Sequence, residues 1–290
     1  MRIPESCARC LLERQEHLTD DPDYLREVRQ IIDGRGDDDT APYLVYLFHK
    51  AFARRFGGVA PYGEIKKKYN DLVLSMEDSL REKIEAAGDP LTAALLFARV
   101  GNYIDFGAMS SVDEDVFLAM FDDASPREED RAAMASFFRQ CAGAERFLLI
   151  ADNCGEIVLD KLFLQQLKRR FPRLQVTVMV RGGEVLNDVT AEDAEYTGLS
   201  RVAGIVSNGA PVAGTIYDML SPEAKAALDD ADVILAKGQG NYETLGARGR
   251  HVFYSMLCKC DLFVERFRVP RFTGIFLEEY GDPDLPLNPA

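Results

Sequence analysis

The feature that most constrains the fold of this chain is a change of sequence pattern near residue 145. After this point, short apolar runs alternate with segments of helical spacing, beginning with a run at 146–152 and a helical pattern at 156–171. Apolar runs rich in β-branched residues are typical of buried parallel strands. Further strands are predicted at 175–181, 202–207, 232–238, 251–257 and 261–267. This alternation predicts an α/β fold with a mostly parallel sheet and helices on both faces.

The first 144 residues carry helix signals instead. Asp21-Pro22 and Asp89-Pro90 each place a proline where a helix begins, and Gly57 follows the apolar helical stretch at 43–56. No segment alternates with a period of two for long. We therefore expect an all-α N-terminal domain or lid over 1–144, followed by an α/β domain over 145–290 that carries the functional site.

Charge and composition exclude several classes of function. The 290 residues include 34 Lys and Arg against 48 Asp and Glu, a net charge of −14 that disfavours nucleic acid as a partner. No apolar run approaches the roughly 18 residues of a membrane span, and the first ten residues lack the apolar core of a secretory signal. We expect a cytoplasmic protein that binds no membrane, while its oligomeric state stays open.

Polar residues cluster where the predicted strands end, which is where open parallel sheets bind ligands. Asp152 and Asn153 follow the first strand, and Asp188 lies in the loop after the second. Two carboxylates and a carboxamide are a ligand set suited to Mg²⁺ or Mn²⁺. Lys237 and the backbone amides of 238–241 can hold an anion such as phosphate. These groups together suit metal-assisted phosphoryl transfer or phosphoester hydrolysis. The alternative is that Asp152 and Asp188 only cap the helices that follow them.

The same segments resemble a known protein family. The motifs are DNCGEIVLDKL from Asp152, RGGEVLNDVTAEDAEYTGL from Arg181 and KGQGNYETL from Lys237, with GNYIDFG, LCKC and CARC as shorter matches. They are similar to the domain of unknown function 89 family, which comprises metal-dependent damage-control phosphatases related to the acidic-residue methyltransferase 1-like proteins. The CARC segment fits the prokaryotic, cysteine-containing branch. The resemblance implies a helical N-terminal region packed against a Rossmann-like α/β domain.

The resemblance also implies roles for individual residues. Asp152, Asn153 and Asp188 would bind the metal, which we expect to be Mn²⁺ or Mg²⁺, with Co²⁺ and Ni²⁺ as further candidates. The residues implied to contact substrate are Lys237, Gly238, Gln239, Gly240, Asn241 and Lys259. Lys237 and Lys259 would neutralise phosphoryl charge, while Asp152 or Asp188 would orient a water molecule or act as the nucleophile. We further predict that Asn102 and Asp105 close the pocket over the substrate, although both also fit ordinary helix-end polar residues.

Two departures from the family pattern concern specificity. The family's Arg-Thr before the later lysine is absent here, where Met256 and Leu257 precede Cys258 and Lys259, and Glu184 replaces a usual proline. Cys7 and Cys10, with Cys258 and Cys260, offer four thiols for a metal or a disulfide, or are simply buried inert thiols.

We therefore expect a divalent-metal-dependent phosphatase acting on small phosphorylated metabolites, such as sugar phosphates or damaged phospho-compounds. An S-adenosylmethionine-dependent carboxyl methyltransferase is the first alternative, although no glycine-rich turn follows the first strand. A non-catalytic sensor of phosphorylated metabolites is the second.

Overall fold

The computed structural model describes residues 3–58, 62–105, 113–245 and 250–280. Within these ranges, seven helices precede the first strand. They are α1 (Glu5–Leu18), α2 (Pro22–Asp33), α3 (Ala41–Phe56), α4 (Gly63–Ala86), α5 (Pro90–Gly101), α6 (Glu114–Ala119) and α7 (Glu128–Gly143). No helix in the described ranges is both long and apolar enough to span a bilayer.

Local side-chain chemistry explains where several of these helices begin and end. The Asp21 carboxylate accepts a hydrogen bond of 2.8 Å from the Tyr24 N–H at the start of α2, and Asp89 caps α5 in the same way. The last turn of α3 is followed by Gly57 at φ 78°, a left-handed conformation that glycine adopts without strain. The predicted helical N-terminal region is confirmed.

Six strands form one sheet with the order β3-β2-β1-β4-β5-β6. The strands are β1 (Arg146–Ile150), β2 (Gln175–Val180), β3 (Gly204–Ser207), β4 (Val233–Lys237), β5 (His251–Leu257) and β6 (Gly274–Tyr280). The helices around them are α8 (Glu156–Arg170), α9 (Ala191–Tyr196), α10 (Pro222–Asp229), α11 (Gly238–Leu245) and α12 (Asp261–Phe267). All neighbouring strands are parallel except β5 and β6. The predicted α/β fold with a mostly parallel sheet is confirmed.

The strand predicted at 261–267 is wrong, since these residues form α12. Phe263 and Phe267 are four residues apart, a spacing that puts both on one helix face, where both rings contact Tyr242. A short apolar run fits either structure, so its pattern does not decide between them. The last strand is β6, which pairs antiparallel with β5 across its full length.

Alternate residues of the central strands point into two separate apolar layers. Phe147 and Leu149 of β1 pack in the cluster that also contains residues of α4, α5, α7 and α8. Leu148 and Ile150 face the opposite cluster, which contains residues of α10, α11 and α12. Helices α1 to α3 have a third, smaller core of their own. The first cluster therefore crosses residue 145 and joins the helical region to the sheet.

The strand order creates a crevice at one edge of the sheet. From β1 the chain proceeds to β2 on one side, whereas β4 lies on the other side of β1. Loops that leave neighbouring strands in opposite directions open a ligand-binding crevice at their carboxyl ends. Here the crevice lies between the segments that follow Ile150 and Lys237, and helices α1 and α3 contribute its outer wall.

Candidate active site

The crevice opens into a cavity of about 130 Å³ that brings together residues from distant parts of the chain. Asp152, Asn153 and Asp188 line it, as do Gln239 and Gly240 at the start of α11. Its remaining walls come from α1, α3, α11, Asp105 and three loops: Cys7, Cys10, Leu11, Arg14, Ala41, Pro42, Val45, Leu186, Ala213, Glu243 and Cys260. The three predicted metal ligands therefore share one cavity.

Backbone hydrogen bonds hold the loop after β2 against the end of β1. Asn153 and Asp188 form an isolated antiparallel bridge. The N–H of Cys154 donates to the carbonyl of Asn187 at 2.8 Å, and the N–H of Val189 donates to the carbonyl of Asp152 at 2.9 Å. This short ladder fixes the spacing between the two aspartates by backbone geometry rather than by side-chain packing alone.

Arg181, at the end of β2, joins both aspartates. Its Nε donates to Asp188 Oδ2 at 2.6 Å, and its Nη2 lies 3.4 Å from Asp152 Oδ1. A third hydrogen bond of 3.1 Å runs from Nη1 to Asn241 Oδ1. The guanidinium is fully buried, so these contacts are little screened by water. Sequence reasoning noted Arg181 only as a strand-end residue and assigned it no role.

Burial shifts the protonation equilibria of the two aspartates. Burial raises the pKa of Asp152 well above its usual range, and the charges of Asp188 and Glu156 raise it further. Burial also raises the pKa of Asp188 to about 6, although Arg181 opposes this shift. Carboxylates held this way favour a proton or a cation beside them.

The ion pairs around the crevice leave an excess of negative charge. Counted as formal charges, with every group ionised, they join five carboxylates with three cations, an excess of two negative charges: Asp105, Asp152, Glu156, Asp160 and Asp188 against Arg181, Lys237 and Lys259. One divalent cation would balance this difference.

The donor atoms that remain fit such a cation. The Asn153 amide nitrogen donates to Asp152 at 2.6 Å, while the Asn153 oxygen accepts no hydrogen bond from the described residues. The second carboxylate oxygen of Asp188 is likewise without a hydrogen bond in the described part of the chain. Hard oxygen donors of this kind suit Mg²⁺ and Mn²⁺.

Asn102 is buried at the inner end of the site and orients two carboxylates. Its amide nitrogen donates to Asp152 Oδ2 and to Glu156 Oε2, each at 3.0 Å. Its amide oxygen accepts from the Leu257 N–H at 3.0 Å, which identifies the nitrogen and oxygen positions. Asn102 therefore reaches the predicted site, where its contacts are with Asp152 rather than with the cavity surface.

Lys259 is also buried, and it ties α5 to the segment after β5. Its ammonium group donates to the Asn102 carbonyl at 2.6 Å and forms an ion pair with Asp105. Asp105 lines the cavity, whereas Lys259 does not. Gln239 Oε1 accepts from the Lys259 N–H at 3.1 Å, so Gln239 is held in place at the cavity wall.

Lys237 points away from the cavity into the layer of α5 and α8. Its ammonium group contacts Glu156 at 2.7 Å, Asp160 at 2.6 Å and the Ala98 carbonyl at 3.0 Å. Burial opposes its charge, but the two carboxylates prevail and raise the pKa of Lys237 above its usual value. Its ammonium group reaches the site only through Glu156, so its predicted substrate contact remains a prediction.

The glycines after β4 allow close approach of the backbone to Asp152. Gly238 has φ 75°, and a Cβ there would lie 1.9 Å from Asp152 Oδ2. Asn241, one turn later, donates to the carbonyls of Lys237 at 2.7 Å and Ala151 at 3.1 Å. It therefore ties the ends of β1 and β4 together, and its carboxamide is fully engaged by protein groups.

Glu184, one of the two departures from the family pattern, and the cysteines have clear structural settings. Glu184 pairs with Lys66 of α4 at 2.9 Å, which links the loop after β2 to the helical region. Cys258 is buried behind the cavity wall, whereas Cys7, Cys10 and Cys260 line the cavity. All six cysteines are free thiols. The described ranges contain no cluster of three or more His, Cys, Asp or Glu side chains arranged to hold a metal ion.

Comparison with known proteins identifies the family. The model of the damage-control phosphatase ARMT1-like domain matches residues 3–273. The chain belongs to this family. A relative named damage-control phosphatase, from Archaeoglobus fulgidus, is 28% identical over 276 residues, covering 90% of this chain and 93% of that protein. A damage-control phosphatase of Pyrococcus horikoshii is 25% identical over 283 residues, covering 93% and 96%.

A solved structure of the domain of unknown function 89 family from Pyrococcus horikoshii shares the fold of this ARMT1-like chain. The TM-score is 0.76 at 24% identity, covering 94% of this chain and 98% of the other. The family resemblance predicted from the motifs is confirmed. Relatives named as phosphatases support a phosphatase role for this chain.

Proposed function

We propose that this ARMT1-like protein is a cytoplasmic, divalent-metal-dependent phosphatase that hydrolyses small phosphorylated metabolites. The observation that carries the proposal is the convergence of Asp152, Asn153 and Asp188 at one cavity. Their open oxygen donors lie beside a group of ion pairs that contains two more carboxyl groups than cations. The family membership and the relatives' names support the phosphatase part. The donor set and the charge excess support metal dependence.

Asp152, Asn153 and Asp188 are the residues that would hold the metal. When bound, a divalent ion supplies positive charge to phosphoryl oxygens and lowers the pKa of a coordinated water. Arg181 fixes the rotamer of Asp188 through Nε, and Asn102 fixes that of Asp152. Side chains locked by such contacts keep reacting groups in position without reorganisation during the reaction.

The protein contributes its own proton acceptor. Asp152 and Asp188 are the carboxyl groups at the cavity that can accept a proton from an attacking water. Asp152 or Asp188 orients the attacking water or attacks phosphorus directly. Only the second route forms a phosphoryl-aspartate. Rapid acid quenching of a reaction with labelled substrate shows whether the label becomes attached to the protein.

The main test is phosphate release from a panel of sugar phosphates and a chromogenic phosphoester. The assay is run with Mn²⁺, Mg²⁺, Co²⁺ or Ni²⁺, and again with EDTA, for the wild type and for Asp188→Asn. Exposed Glu192 in α9 supplies a matched charge-removing control, Glu192→Gln. We expect metal-dependent release that EDTA and Asp188→Asn abolish and that Glu192→Gln leaves intact.

Other outcomes point to different functions. Metal binding without release across the panel would favour a non-catalytic sensor. Transfer of a methyl group from S-adenosylmethionine to carboxylates, without phosphate release, would favour the methyltransferase. Release that is indifferent to both EDTA and Asp188→Asn would contradict the site assignment.

A further inference from the structure

The cavity has two chemically different ends. The end at the sheet carries the carboxylates of Asp152 and Asp188, where the proposed phosphatase reaction takes place. The opposite wall comes from α1 and α3, and its aliphatic side chains include Leu11 and Val45. Arg14 of α1 adds a guanidinium group to this outer wall.

Arg14 has no carboxylate partner among the described residues, although it lies at the cavity wall. Arg29, Arg54 and Arg55 of α2 and α3 each form an ion pair with an acidic residue. Within the described part of the chain, the Arg14 side chain makes no hydrogen bond or ion pair, and it is the only lysine or arginine among the described residues lining the cavity. A half-buried guanidinium at a cavity wall presents its donors to whatever occupies the cavity.

An acidic residue of α11 also lines this cavity. Glu243 of α11 lines the same cavity, and burial raises the pKa of its carboxyl group to about 7. This shift towards the neutral form reduces the negative charge that Glu243 places on the cavity wall. An anion that enters the cavity therefore meets an available cation at the outer wall.

We propose that Arg14 binds a second anionic group of the substrate, while the phosphoryl group to be released lies at Asp152 and Asp188. This inference rests on the proposed phosphatase function and specifies its substrate class. The aliphatic side chains of Leu11 and Val45, on the same wall as Arg14, suit a short carbon chain that links the two anionic groups. The volume of about 130 Å³ is close to that of an engineered cavity of about 150 Å³ that holds one benzene molecule.

The substrate class is therefore a small phosphorylated carboxylic acid or a small bisphosphate. A planar guanidinium recognises either group through paired hydrogen bonds, so the chemistry at Arg14 is shared. Neutral sugar monophosphates lack the second anion and are expected to be poorer substrates.

Binding of non-hydrolysable phosphonates tests this proposal without requiring turnover. The probes are ω-phosphonocarboxylates with two to five methylene groups, alkylphosphonates of equal length and alkane bisphosphonates, titrated calorimetrically at fixed free Mn²⁺. The variants are Arg14→Gln and, as a matched control, Arg9→Gln, because Arg9 is exposed on the same helix and does not line the cavity.

We expect at least one phosphonocarboxylate or bisphosphonate to bind the wild type about tenfold more tightly than the alkylphosphonate of equal length, as one charge-assisted pair would produce. Arg14→Gln should remove this preference and leave alkylphosphonate binding unchanged, and Arg9→Gln should change neither. The preferred probe type tells whether the second anion is a carboxylate or a phosphoryl group.

Two results would overturn the proposal. In one, alkylphosphonates bind with metal but the second anion adds no affinity at any chain length. In the other, Arg14→Gln weakens both kinds of probe equally. These outcomes concern Arg14 alone, whereas absence of phosphate release despite phosphonate binding would count against the phosphatase function. Absence of all phosphonate binding would overturn both.

Discussion

At the scale of single residues, the raised pKa values of Asp152 and Asp188 predict competition between protons and the metal. A metal ligand must be deprotonated, and burial raises the pKa of Asp188 to about 6 and that of Asp152 well above its usual range. Affinity for Mn²⁺ should therefore increase with pH between about 5 and 7, with release of protons on binding. Calorimetry in two buffers of different ionisation enthalpy measures this release; a pH-independent affinity would count against these ligands.

Gly238 provides a second prediction at this scale. Gly238→Ala places a methyl group 1.9 Å from the Asp152 carboxylate and forces a side chain onto φ 75°. We expect a loss of about 1–3 kcal/mol in the free energy of unfolding and strongly reduced phosphatase activity. The matched control is Gly143→Ala, where the new Cβ meets no atom within 4 Å. Chemical denaturation and activity are measured for both; equal effects would refute the close approach.

At the scale of elements, the buried ion pairs of Lys237 attach β4 to α8, and we expect their loss to destabilise the protein. Lys237→Met leaves Glu156 and Asp160 buried without their cation, and breaking a buried ion pair costs about 3–5 kcal/mol. The double variant Lys237→Met/Asp160→Asn removes part of this penalty and should recover some stability. Urea denaturation of both variants tests the network. A Lys237→Met protein of normal stability but low activity would instead indicate direct contact with substrate.

His49 in α3 is expected to make the protein less stable at low pH. Burial lowers the pKa of His49, whose Nδ1 has no hydrogen-bond partner among the described residues. When the pH falls below about 6.5, the unfolded chain takes up a proton that the folded chain resists, so stability decreases. His49→Gln should show a smaller loss of stability between pH 7.5 and 5.5. His17→Gln, an exposed change in α1, should retain the wild-type loss; equal slopes in all three proteins would contradict this role.

Some positions in the site could be predicted from the sequence, and others depend on how the helices pack. Asp152, Asn153 and Asp188 could be placed at one site because strand ends of a parallel sheet meet at one edge. The direction in which the Lys237 side chain points could not be predicted from the sequence, because it depends on the packing of α5 and α8 against the sheet. Glu156 and Asp160 lie four residues apart on α8, a spacing that signals a shared helix face, but their partner is set by tertiary structure. The position of Arg14 depends in the same way on how α1 to α3 pack against α11.

At the scale of the whole molecule, the apolar core predicts mutual dependence of the two halves. The sequence predicts a domain boundary at 144/145, yet one buried cluster contains both Phe97 and Phe137 from the helical region and Phe147 and Phe163 from the α/β region. Residues 145–290 alone would expose this face of the sheet to water. We expect that fragment to bind a hydrophobic dye and to lack a cooperative unfolding transition; cooperative unfolding of the isolated fragment would show two independent domains.

We propose that the crevice at the ends of β1 and β4 is a metal-dependent phosphate site. The most direct measurement is anomalous diffraction at the manganese edge from crystals soaked in Mn²⁺ and inorganic phosphate. We expect one strong anomalous peak for manganese, contacted by Asp152, Asn153 and Asp188, with phosphate beside it in the cavity. A manganese peak at the Cys7, Cys10 and Cys260 thiols, or none within the cavity, would contradict it.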